Sequence, residues 1–242
     1  MRRPIYIGTS GWNYPHWRGV FYPEGLAQKN WLAYYVNFFN GVELNVTFYR
    51  LPQKEIFENW RKNTPKNFRF AAKGSRFITH IKRLKDVKAP LNLFFKNASG
   101  LGEKMAAVLW QLPPAFKQDL KRLEPFLKLI KKTKIRQAFE FRNQTWFNEE
   151  TYALLKEYNA CLCIAHSGGR FPCIKETTSD FLYLRFHGVG ALYSSNYSDK
   201  ELKGWAEFAK KHRDKNLFAF FNNDARGFAV KNALRFRELF KR

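Results

Sequence analysis

Glutamates, cations and histidines recur at the ends of β-type runs in this sequence. In GVELNVTFY (41–49), Val42, Leu44 and Val46 alternate with Glu43, Asn45 and Thr47. That is the period-2 pattern of a strand with one apolar and one polar face. QAFEFRN (137–143) sets Phe139 and Phe141 against Glu140 and Arg142, and FLYLRFHG (181–188) sets Leu184 and Phe186 against Arg185 and His187. Lys73 ends another run, Gln111 the next and His166 a later one, while Asn222, Asn223 and Asp224 close the last.

Two carboxylates suggest glycoside hydrolysis, which needs a pair flanking one bond. Lys73, Arg142 and Arg185 argue against it, because they hold both carboxylates ionised whereas a general acid needs a raised pKa. Recognition of a phosphate or carboxylate fits better, with the arginines as forked donors and Lys73 as a point charge. In that scheme Glu43 or Glu140 is the base and His187 or His166 the proton donor. His16, His80, His166 and His187 all fall at or just after run ends, and only His212 lies in a helical stretch. Asn45, Gln111, Asn222, Asn223 and Asp224 are further lining groups. So are the loop aromatics Tyr49, Trp146, Tyr193 and Tyr197, which lie among arginines such as Arg76, Arg170 and Arg226 and can stack on bases or sugars. Glu43, Glu140, His166, His187 and Asp224 include metal-ligating types. No H-E-x-x-H or comparable spacing joins them, so neither a metal nor a cofactor is expected.

These side chains need elements to carry them. Eight β-type runs occur, at 5–10, 42–49, 68–74, 106–112, 137–143, 160–166, 181–188 and 217–223. Helical patterns follow most of them. NEETYALLKEY starts on Asn148 as N-cap with Glu149 and Glu150 in the first turn. SDKELKGWAEFAKKH offers Ser198 and Glu201 as a capping box. Pro125 should bend or split FKQDLKRLEPFLKLIKK. No convincing helix lies in 167–180. The order predicts an α/β fold, a single (β/α)8 barrel over 1–242 with its sixth helix short or missing. An open doubly wound sheet is the alternative, but GTSG is too weak for its Gly-rich turn. In a barrel the polar residues converge at the strands' C-terminal ends. The loops HGVGALYSS (187–195) and NNDARG (222–227) then follow the last two strands, where this fold often holds a phosphate.

The chain has 242 residues and a formal charge of +23, which favours polyanions as partners: an anionic small molecule or a nucleic acid. Much of that charge lies elsewhere, in KKTKIR (131–136) and KKHRDK (210–215), which precede strands. Cys161, Cys163 and Cys173 lack metal spacing and read as reduced thiols. No apolar run of 18 residues and no signal-type start is seen, so a soluble cytoplasmic protein without a membrane partner is expected.

Seven ordered segments carry a family likeness: GTSGWNYPHWRGVFYP (8–23), VELNVTFYRLP (42–52), FAAKGSRFITH (70–80), WQLPPAF (110–116), FEFRNQTW (139–146), RFHGVGALYSSNYS (185–198) and FFNNDARGFAVKNA (220–233). Over nearly its full length the chain resembles the domain of unknown function 72 family (YecE-like). The resemblance implies a (β/α)8 barrel with a site in its mouth, but no substrate. His166 stands where that family often has an acidic residue. The reading that follows is an enzyme, a hydrolase or lyase for a phosphate-containing anion; a non-catalytic nucleic-acid-binding protein is the alternative.

Overall fold

The alternating runs become parallel strands in the computed structural model, which describes residues 3–241. The strands are β1 (Ile5–Thr9), β2 (Gly41–Leu44), β3 (Arg69–Lys73), β4 (Met105–Gln111), β5 (Arg136–Glu140), β6 (Cys161–Leu162), β7 (Ile164–His166), β8 (Phe181–Phe186) and β9 (Asn216–Phe221). They form a four-stranded sheet in the order β1-β9-β8-β7 and a five-stranded sheet in the order β2-β3-β4-β5-β6. The sheets adjoin twice. Only Cys163 separates β6 from β7, and Ser10, just past β1, bridges Glu43 of β2 in parallel. Gly8 permits that second approach: a Cβ there would stand 2.0 Å from the Gly41 carbonyl oxygen.

Parallel strands need long crossovers, and helices supply them. They are α1 (Trp31–Tyr35), α2 (Val46–Tyr49), α3 (Lys54–Lys62), α4 (Lys88–Ala98), α5 (Leu120–Lys131), α6 (Glu149–Glu157), α7 (Asp199–Lys211) and α8 (Phe228–Glu238). Residues 167–180 carry no helix. Local chemistry sets the helix starts. Asn148 accepts from the Thr151 amide at 3.0 Å, and Ser198 with Glu201 closes a reciprocal capping box. Of the bend or split expected at Pro125, the split does not occur: α5 runs through it as one helix. The missing N–H costs a single bond in the second turn, and the buried Leu123, Phe126, Leu127 and Ile130 hold the helix on the sheet.

Both faces of the sheets are covered, so alternate residues enter two separate clusters. Outward, Val42, Phe70, Trp110, Phe139, Leu184 and Phe221 pack against helix residues such as Phe57, Phe126 and Phe236. Inward, Ala71, Leu109, Ala138, Cys161, Tyr183 and Phe218 make a second apolar cluster shared by both sheets. One step further along each strand, the same inward parity delivers Ser10, Glu43, Lys73, Gln111, Glu140, Arg185 and, past β8 and β9, His187 and Asn222. The greasy interior therefore ends in a polar layer at the strands' C-terminal rim.

The second run departs from the strand predicted over 42–49. β2 stops at Leu44, and Asn45 turns into the right-handed helical region (φ −76°, ψ −24°). The buried Thr47 hydroxyl holds the bend, reaching the carbonyls of Leu44 at 2.8 Å and Lys73 at 2.6 Å.

Candidate functional site

Arg185 organises the polar layer. It is 1% exposed and joins both glutamates, with Nη2 donating to Glu43 Oε1 at 2.6 Å and Nη1 to Glu140 Oε2. Glu43 also accepts from Ser10 Oγ at 2.6 Å and from Tyr183 Oη at 2.7 Å. Glu140 takes Arg142 Nε at 2.8 Å, and His187 Nε2 lies 3.6 Å from the same oxygen. Burial would raise both carboxyls, but Arg185 and the other donors hold Glu43 below, and Glu140 well below, the usual carboxylate range. Each buried ion here costs several kcal/mol in desolvation, which only this near-complete pairing offsets. All four carboxylate oxygens are thereby engaged.

Lys73 is the exception in this layer. It is nearly buried at the end of β3, and its ammonium position lies 4.0 Å above the Phe48 ring. No ion pair or side-chain hydrogen bond reaches it among the described residues. Burial, and then the Arg185 charge, push its pKa down to about 7, against the opposing pull of Glu140 and Glu43.

Above the layer opens a cavity of about 880 Å³. Lys73, His80, Gln111 and Arg142 line it from one side. Asn45, Phe48 and Tyr49 line it from the α2 turn, and Tyr14 and His16 from the first loop. Tyr193, Ser194, Asn222, Asp224, Ala225 and Arg226 complete the wall. His80 sits in a π-helical turn, Phe77–Ile81, and burial followed by the Lys73 charge lowers its pKa to about 4. Arg142 Nη2 reaches Tyr193 Oη at 3.3 Å. Tyr193 is itself held at φ 63° in the loop after β8, whose turn needs Gly188 at φ 114°. A Cβ on Gly188 would meet Ser195 Oγ at 2.6 Å.

Asp224 is the wall's one carboxylate. Burial raises its pKa to about 6, although Trp17 Nε1 donates to Oδ1 at 2.7 Å. His16 Nε2 lies 2.9 Å from Oδ2 and 3.1 Å from the Asp224 backbone carbonyl, and only the latter has hydrogen-bond geometry. The buried Oδ1 of Asn45 finds no donor among the described residues.

Several residues predicted for the site lie differently. Glu43, Glu140 and Arg185 are inward but beneath the cavity, fully engaged with one another. His187 is buried beside them; burial and then Arg185 lower its pKa to about 4, so it is a neutral imidazole near pH 7 rather than a proton donor. His166 faces outward, because it pairs in register with Phe186 while Ala165 pairs with Arg185. Its Nδ1 meets Tyr197 Oη at 2.9 Å and its ring packs on Trp205 of α7. Tyr197 is buried there, not exposed at the mouth. Trp146 is buried against Phe141, rings 4.6 Å apart, and donates to the Phe116 carbonyl at 2.7 Å. Asn223 is a clamp, donating to Ser195 O and Asn232 Oδ1, each at 2.8 Å. The metal-type residues do not converge: among the described residues no three of His, Cys, Asp and Glu form a group able to hold an ion.

Other participants were not predicted. Tyr183 stands two residues before Arg185 on the same face, so strand parity alone could have found it. Phe48 was hidden by the unforeseen bend after β2. Ser10, Tyr14 and Ser194 come from loops whose course no local pattern encodes, whereas His16, one of the four histidines noted after strand runs, does line the cavity.

The chain resembles known proteins from end to end. The family model described as "Protein of unknown function DUF72" matches residues 6–242. UPF0759 protein YunF of Bacillus subtilis is 30% identical, with 97% of this chain and 94% of YunF aligned. The crystal structure of a DUF72 family protein from Thermotoga maritima is 32% identical with a TM-score of 0.88, covering 99% of this chain and all of that one. A D-psicose 3-epimerase structure, 11% identical, superposes with a TM-score of 0.54 over 98% of this chain and 90% of the epimerase, a likeness of fold.

Proposed function

This chain belongs to the DUF72 family, and we propose that it is an enzyme whose two sheets work as one (β/α)8 cylinder with a site for a small anionic substrate in its mouth. The substrate carries a phosphate or carboxylate, and the reaction is a lyase rather than a hydrolase step. One observation carries this reading: with Arg185 and Arg142 neutralising the two glutamates beneath, the cavity wall still presents Lys73 and Arg226 against a single carboxylate, Asp224. An anion entering the mouth meets uncompensated positive charge.

The position of Arg226 supports the phosphate side of the reading. It precedes α8, in the loop after the last strand, where barrels of this kind often bind phosphate. Asn45 Oδ1 remains open to a substrate hydroxyl. Glu43 and Glu140 lie beneath the cavity with each oxygen already accepting from another donor, which makes them poor bases for activating a water.

Titration calorimetry with inorganic phosphate and with small phosphorylated and carboxylated sugars tests the reading. Binding is expected, weakened about ten-fold or more in Arg226→Ala, a loss of about 1.4 kcal/mol. Absence of anion binding, or binding indifferent to Arg226→Ala and Arg142→Ala together, overturns it.

A second reading is a nucleic-acid-binding protein without chemistry. It is favoured by a basic cleft at the opposite end of the strands, where Arg3, Lys210, Arg213, Lys215 and Lys241 surround a cavity of about 270 Å³.

A further inference from the structure

We propose that Lys73 is the nucleophile of this site, forming an imine with an aldehyde or ketone group of the anionic substrate. The proposal rests on the anion-binding reading above and deepens it: the substrate is a carbonyl compound as well as an anion.

The geometry around the amine leads there. Lys73 ends β3 pointing inward and is one of the residues lining the cavity. The charged groups that face it are Glu43 from β2, Glu140 from β5, Arg185 from β8 and Arg142 after β5, and the titratable His80 adjoins it from the turn after β3. Two of these are carboxylates, and an ordinary buried lysine would pair with one. Here each carboxylate oxygen already accepts from another donor, Ser10 and Arg185, Tyr183, Arg142, and Arg185 again, and among the described residues none forms an ion pair with Lys73. What remains beside the amine is the Phe48 ring at 4.0 Å, which fixes its position without accepting a proton. A structural lysine is paired; among the described residues this one has no counterion, and it lines the cavity. Its pKa, lowered to about 7, leaves a large share of the amine unprotonated at neutral pH.

The step balances without an external oxidant or reductant. The Nζ lone pair forms the C–N bond as the C=O π bond breaks onto oxygen. One proton moves from nitrogen to that oxygen, giving a carbinolamine. The hydroxyl then takes up a proton and leaves as water while the nitrogen lone pair closes the C=N bond, and the remaining N–H proton of the iminium returns to solvent, so both amine protons end on the departing oxygen in the net reaction. Arg142 and Arg226 would hold the substrate's anionic end.

Reductive trapping tests the proposal directly. The full chain is incubated with glyoxylate, an anionic aldehyde, and sodium cyanoborohydride from pH 5.5 to 9. The reagent's hydride reduces the imine to a stable secondary amine, and peptide mass mapping locates it. Lys73 is expected to label on the order of ten-fold or more faster than surface lysines at pH 7, half-maximally near that pH. Lys73→Arg, which keeps the charge, should lose the adduct while retaining the circular dichroism of the parent. Equal labelling of all lysines, or labelling of Lys73 only above about pH 9, overturns the proposal. Glycolaldehyde, a neutral probe, and excess inorganic phosphate separate this from the anion site. If Lys73 labels equally with both aldehydes and phosphate gives no protection, the nucleophile stands and the anion reading falls. If calorimetry detects phosphate while Lys73 stays unlabelled, the nucleophile falls and the anion site stands.

Discussion

Lys73 shows how one side chain's character depends on what its neighbours have already bonded. Arg185 serves both Glu43 and Glu140, so neither is free to stabilise an ammonium on β3. Burying Lys73 therefore costs stability whenever it is protonated. The sign follows from linkage: the folded-state pKa of about 7 lies below the reference of 10.5, so between those values the unfolded chain binds more protons. For this group, stability rises with pH across that window, by at most about 1.4 kcal/mol per pH unit. Lys73→Met should accordingly be more stable than the parent at pH 6, with the advantage shrinking towards pH 10. Urea unfolding at a series of pH values checks this, and a constant difference between the two proteins would contradict it.

At the level of elements, the site depends on where strands stop. β2 ends at Leu44 and turns at once into α2, which puts Asn45, Phe48 and Tyr49 on the cavity wall. The Thr47 hydroxyl secures that turn to the ends of both β2 and β3. Thr47→Val keeps the shape but removes the donor, leaving carbonyls of Leu44 and Lys73 short of a partner inside the protein. A loss of about 1–3 kcal/mol is expected in chemical denaturation. An unchanged midpoint would mean that the turn is held by packing alone. The same scale explains which expectations failed. Period-2 alternation in GVELNVTFY continues past Leu44, so it cannot mark a bend made by a buried hydroxyl bonding to a strand distant in sequence. His166 was misassigned because position at a strand's end was read without its parity; in-register pairing with Phe186 sends the ring outward.

Over the whole molecule, the charge of +23 is not gathered at the mouth. Lys131 and Lys132 and the 210–215 segment lie before β5 and β9, at the opposite end from the cavity. If nucleic acid binds through this surface, the affinity should fall steeply with salt, by on the order of 10³-fold or more between 50 and 200 mM for six or more phosphate contacts. It should also be indifferent to Arg226→Ala. Fluorescence anisotropy with single- and double-stranded oligonucleotides measures both, and a salt-insensitive complex lost on mouth substitution would instead join the two activities in one site. No helix among the described residues is long and apolar enough to cross a membrane.

The sequence by itself determined the parallel α/β order of elements and the inward direction of Glu43, Lys73, Glu140 and Arg185, because alternation and capping are local properties of a chain, and its seven ordered motifs carried the family likeness. Only the tertiary structure decided which charges meet. Arg185 reaches two glutamates 142 and 45 residues away, and that pairing leaves Lys73 without a counterion. Such partnerships follow from the positions of strands that are adjacent in space but far apart along the chain, and no local pattern records them.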